Sequence, residues 1–135
     1  MERRQFIIGI SAGIVSLPVL ASGCASSETQ NNCALKEGQI QHSVIFDLKY
    51  EKGSAEAQKF ISDGKKILTA IPGVQNFQAF AQISSKNDYS YGFSMVFGNN
   101  EAYQGYNNHP AHVGFVENRW KKEVTRFLEI DYATI

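Results

Sequence analysis

Two cysteines, three prolines and one tryptophan in 135 residues exclude several architectures before any pattern is read. Cys24 and Cys33 are too few for a disulfide scaffold. They also lack the CxxC spacing and neighbouring histidines of a redox or structural zinc pair. Thirteen basic and thirteen acidic groups leave a net charge of +0, so no polybasic excess argues for nucleic acid. No stretch supplies the roughly 20 apolar residues that a spanning helix needs, and the most apolar one, Phe6 to Leu20, is broken by Pro18. The length is that of a single domain with an ordinary globular composition.

The first 23 residues read as an export signal and not as part of the domain. Arg3 and Arg4 form a positive start, an apolar segment follows, and the small residues Ala21-Ser22-Gly23 precede Cys24. Arg3-Arg4-x-Phe6-Ile7 resembles a twin-arginine signal, with general export as the rival route. Ala21-Ser22-Gly23-Cys24 resembles a lipoprotein signal, in which Cys24 becomes the lipidated first residue; simple cleavage at the same bond is the alternative. If Cys24 is acylated, Cys33 is a lone thiol; if not, a small-loop disulfide can form. The expectation is an exported protein, either a membrane-anchored lipoprotein or periplasmic. Residues 24–38 are polar and serve as a tether.

The domain, residues 39–135, opens on period two. Ile40, His42, Val44, Phe46 and Leu48 share one face of a strand. Ser54 N-caps a helix whose apolar stripe is Ala57, Phe60, Ile61, Gly64, Ile67, Leu68 and Ile71, ended by Pro72-Gly73. Two alternating runs follow, Asn76 to Ile83 and Tyr89 to Phe97, joined by a polar turn as a hairpin. Asn99 or Asn100 caps a short helix, Pro110 starts another, and Thr125 to Tyr132 is a last strand. The order β-α-β-β-α-β folds by the right-handed crossover rule into a ferredoxin-like α+β domain, a four-stranded antiparallel sheet with helices on one face. The other face is left bare, and Tyr89 to Phe97 carries five large side chains on one side. Dimerisation through sheet edges or open faces would cover such apolar surface.

Chemistry concentrates in Tyr106-Asn-Asn-His109-Pro110-Ala-His112-Val-Gly-Phe115. Pro110 forces His109 out of helical geometry and places His112 in the first turn of the next helix. His112 can act as a general base with Tyr106 holding a carbonyl or the imidazole. The plainer reading is a hydrogen bond pinning a helix start, with Tyr106 a core ring. His109 reads first as a cap on the carbonyls of the preceding helix, and His42 as a core histidine that can line a pocket. Histidines three apart across a proline, with no carboxylate near them in sequence, chelate poorly, so no metal site is expected. No cofactor is expected either.

Four segments in order resemble the stress-responsive dimeric α/β-barrel (Dabb) family: His42-Ser-Val44-x-Phe46, Ile71-Pro72-Gly73-Val74, the Tyr106–Phe115 run, and Asp131-Tyr132. The resemblance spans about Gln41 to Tyr132 and implies a homodimer whose two sheets close a barrel. Within it, Tyr-x-x-His-Pro-Ala-His-Val-Gly-Phe is similar to the plant polyketide cyclases that form olivetolic acid. That implies His112 as base and Tyr106 as its aid, with His42 a further pocket histidine. Tyr91 stands where those cyclases carry another histidine. Two functions follow: a stress-associated module binding a small apolar or aromatic ligand through His42, Tyr91 and His109, or a cofactor-independent cyclase-like lyase or monooxygenase using His112 and Tyr106.

Overall fold

The computed structural model of the chain describes residues 34–135; the expected export signal, Cys24, Cys33 and most of the expected tether lie outside them. Four strands, β1 (Ile40–Leu48), β2 (Gln75–Ala81), β3 (Tyr91–Phe97) and β4 (Val124–Tyr132), form one antiparallel sheet in the order β2-β3-β1-β4. The fold is ferredoxin-like, as the element order implied. Phe46 faces Tyr91 on one side and Phe127 on the other, so the apolar parity of β1 runs on across its neighbours.

Helix α1 (Ala55–Thr69) starts where the Ser54 hydroxyl accepts from the Ala57 amide at 3.3 Å. It buries Ala57, Phe60, Gly64 and Leu68. Gly64 is a close approach: a Cβ there would meet the ring atoms of Phe115 at 3.1 Å and of Phe93 at 3.2 Å. Gly73, at φ +89°, turns the chain from α1 into β2 in a conformation that side-chain-bearing residues resist. Asn99, rather than Asn100, caps α2 (Asn100–Asn108), accepting from the Ala102 amide at 2.8 Å.

After α2, the helix α3 (Pro110–Phe115) runs into a π-helical turn, Val116–Trp120, and one last helical turn, α4 (Lys121–Glu123). A π turn widens the helix and shifts the side chains that follow it. Here it carries Trp120 over Phe46, with ring centroids 4.9 Å apart. Arg119 pairs with Asp63 of α1 at 2.6 Å and with Glu123, tying the helices together.

One expectation about the sheet changes. Tyr91, Phe93, Met95 and Phe97 are buried beneath the helices of the same protomer, so they are core and need no second chain to cover them. Tyr89 lies before β3, under the Arg126 guanidinium at 4.5 Å. The bare face is formed by the opposite parity. It carries Ile45, Phe80, Leu128, Ile130 and Tyr132, the last four being 38–50% exposed.

Candidate functional site

A cavity of about 360 Å³ lies between the helix-covered face of the sheet and the α2–α3 segment. That is within the range of small-ligand pockets, roughly 300–1,000 Å³. Val44, Phe93, Met95 and Phe127 form its sheet side, with Phe115 and Trp120 closing over them. His42, Tyr106 and His112 bring three polar groups into this apolar surround, and Lys121 and Glu129 add opposite charges.

The proline break sets the geometry of His112. His109 is extended, at φ −67° and ψ 135°, so α2 ends and α3 begins in a new direction. The His112 ring then lies against Tyr106, with centroids 4.3 Å apart. Its Nδ1 is 3.1 Å from the carbonyl oxygen of Asn107. A carbonyl oxygen only accepts, so Nδ1 carries the proton and Nε2 keeps the lone pair. Burial holds the His112 pKa below its ordinary value, with the Asn107 hydrogen bond opposing that shift and His42 adding to it. The ring is thus neutral near pH 7, the form in which it accepts a proton.

Tyr106 is 2% exposed, and burial pushes its phenol well above the ordinary tyrosine range, with the Glu129 charge adding to it. It therefore stays a donor. No described residue hydrogen-bonds to its hydroxyl, yet no buried side-chain oxygen or nitrogen lacks a partner, so the hydroxyl opens onto the cavity.

His42 is held from the other side. β1 and β4 pair it directly with Asp131, and its Nδ1 lies 2.7 Å from Asp131 Oδ1. The Tyr103 hydroxyl donates to Asp131 Oδ2 at 2.8 Å. Burial, with the Asp131 hydrogen bond next, pushes that phenol up to about 12.

The stress responsive A/B barrel domain family matches over residues 40–134. The chain belongs to that family. A Dabb family protein with a ferredoxin-like fold from Mesorhizobium loti is 52% identical, with a TM-score of 0.72, covering 73% of this chain and 99% of its own. A dimeric ferredoxin-like protein of unknown function from Thermobifida fusca is 16% identical, with a TM-score of 0.63, covering 76% and 97%. A hydroxynitrile lyase from Passiflora edulis is 10% identical, with a TM-score of 0.65, covering 74% and 96%. The latter two likenesses are of fold alone. No curated protein matches the chain.

In this A/B-barrel domain the expected site residues separate into two groups. His112, Tyr106 and His42 converge on the cavity, whereas His109 and Tyr91 do not line it. His109 caps forward and not backward: its Nδ1 accepts from the Ala111 amide at 3.1 Å and so starts α3, instead of binding carbonyls of α2. Tyr91 is spent on the fold, its hydroxyl accepting from the Gly53 amide at 2.8 Å. Glu129 and Asp131 escaped the sequence reading because their role depends on strand register. Two acids spaced by two in the apolar stretch Phe127–Tyr132 were the available signal, since that spacing puts both on one face.

Proposed function

We propose that this A/B-barrel domain binds a small aromatic carbonyl compound and transfers a proton from it, using His112 as general base and Tyr106 as hydrogen-bond donor to the carbonyl oxygen. The observation carrying this reading is the His112 tautomer: Nδ1 is spent on Asn107, leaving Nε2 as the basic atom of a ring that lines the cavity. A residue serving only to pin the helix start would be packed shut. The Tyr106 hydroxyl supplies the second half, since an enolate forming beside it gains a hydrogen bond as its charge grows. The hydroxynitrile lyase of the same fold supports the idea that this architecture can host lyase chemistry. Binding without turnover is the remaining function of the same cavity.

Benzoylacetone is a suitable probe, with an aryl ring for the apolar walls and a methylene made acidic by two carbonyls. The protein should raise its melting temperature in the presence of benzoylacetone and accelerate methylene exchange in deuterated buffer, read by proton NMR. Stabilisation without exchange would leave a binding module. Neither effect, across a set of aryl 1,3-diketones, would reject the site.

The reading also extends to location and assembly. The chain is proposed to be exported and held at a membrane through a lipid on Cys24, supported by the Arg3-Arg4 and Ala21-Ser22-Gly23-Cys24 patterns. Among the described residues no helix is long and apolar enough to cross a membrane. Cys24→Ala should move the protein from the membrane fraction to the soluble one or leave it unprocessed; unchanged membrane association would exclude the anchor. A homodimer is proposed as well, supported by a fold shared with dimeric proteins and by the bare sheet face.

A further inference from the structure

We propose that His42, Glu129 and Asp131 form a binding site for one divalent cation of the zinc, cobalt or manganese class. The three side chains come from neighbouring strands and each offers a donor atom, all within 4.8 Å of one another. From His42 Nδ1, the distances are 2.7 Å to Asp131 and 3.8 Å to Glu129. Donors bound at about 2.0–2.2 Å stand about 3.3–3.6 Å apart in a tetrahedral site, and the observed pair of distances brackets that spacing. Both carboxylates are half-exposed, so the small adjustment falls on mobile side chains.

Three further features separate this cluster from a patch of surface acids. His42 is 6% exposed, and its only described hydrogen bond lies within the cluster. A buried imidazole with no partner elsewhere is placed for these two carboxylates. Next, Tyr103 fixes Asp131 through Oδ2 and leaves Oδ1 turned to His42, the outer support that metal-binding carboxylates commonly have. Finally, the charges do not balance. His42 is the sole described ion-pair partner of Glu129 and also of Asp131, so even a protonated His42 leaves one negative charge over. His42 and Glu129 line the cavity, where an apolar surround strengthens the pull on a cation.

The donor set decides the ion. One imidazole nitrogen with two carboxylates suits zinc, cobalt or manganese, whereas calcium and magnesium prefer all-oxygen sets. Three protein donors leave a position open. Binding would replace the contact between His42 Nδ1 and Asp131 Oδ1 with bonds from both side chains to the cation. The inference stands independently of the proton-transfer reading, since its three donors include neither His112 nor Tyr106.

The test is titration of the full chain, stripped with a chelator, with Zn²⁺ followed by calorimetry and Co²⁺ followed by visible absorption. One cation per chain should bind. Asp131→Asn and Glu129→Gln should each weaken Zn²⁺ at least tenfold, and Tyr103→Phe by about tenfold. The double variant Cys24→Ser, Cys33→Ser should bind as the parent does. His42 is too buried for its replacement to be a clean test, so the two half-exposed carboxylates carry it. No saturable binding would overturn the proposal. So would binding that survives Asp131→Asn and Glu129→Gln, or that disappears with the cysteines.

Discussion

His112→Ala should leave an aryl diketone bound and slow its proton exchange by roughly 10²- to 10⁴-fold, the usual worth of a positioned general base. Binding should survive because the apolar walls, Phe93, Met95 and Phe115 among them, supply most of the contact area. The variant loses the hydrogen bond to Asn107, at a cost of about 1 kcal/mol in stability. The pH dependence distinguishes a base from a helix pin. Burial lowers the His112 pKa from 6.5, so wild-type exchange should stay on a plateau near neutrality and fall only as pH drops through that lowered value. The stability sign follows from the same shift. Between the lowered folded pKa and the unfolded one, the unfolded chain binds more protons, so the His112 contribution is lost as pH falls below 6.5. His112→Ala should flatten both profiles. Equal exchange rates in the two proteins would remove His112 from the chemistry.

The second large effect is expected on the other side of the sheet. The domain from Glu37 onward should run as a dimer at micromolar concentration, and Leu128→Asp should dissociate it. Leu128 pairs with Ile45 at the centre of the bare face, beside Ile130 and Tyr132. A two-fold interface would receive the new carboxylate twice. Each would be desolvated without a partner at several kcal/mol, so the dissociation constant should rise by roughly 10³-fold or more. Light scattering on a sizing column reads the result. A wild-type monomer, or a Leu128→Asp dimer of undiminished affinity, would sink the assembly. The variant should remain folded, because Leu128 is 48% exposed in the protomer and lies outside the core.

Much of the fold was legible because its determinants are local. Ser54 and Asn99 announce helix starts by side-chain chemistry, Pro72-Gly73 and Pro110 announce breaks, and the parity of β1 announces a buried face. The convergence of Tyr106 and His112 was legible for the same reason, since one proline sets their relation. What depended on register was hidden. Asp131 meets His42 only because β4 lies beside β1 in one particular alignment, 89 residues away in sequence. His109 was misread because a histidine before a proline can cap in either direction, and only the backbone at ψ 135° points its ring forward. The ladder from Tyr91 to Phe97 was legible as one apolar face, but parity alone does not say which side of a sheet the helices cover, and the helices of the same protomer bury it.

The alternation of β1 and β4 also divides the domain's evolutionary freedom. Val44 and Phe127 border the cavity, while Ile45 and Leu128, one residue further along the chain, belong to the bare face. A substitution at one parity alters what the domain accommodates and leaves its association surface alone; a substitution at the other does the reverse. If cavity and bare face serve as proposed, adjacent codons would answer to different pressures, and a ligand could be exchanged while the partner is kept, or the reverse.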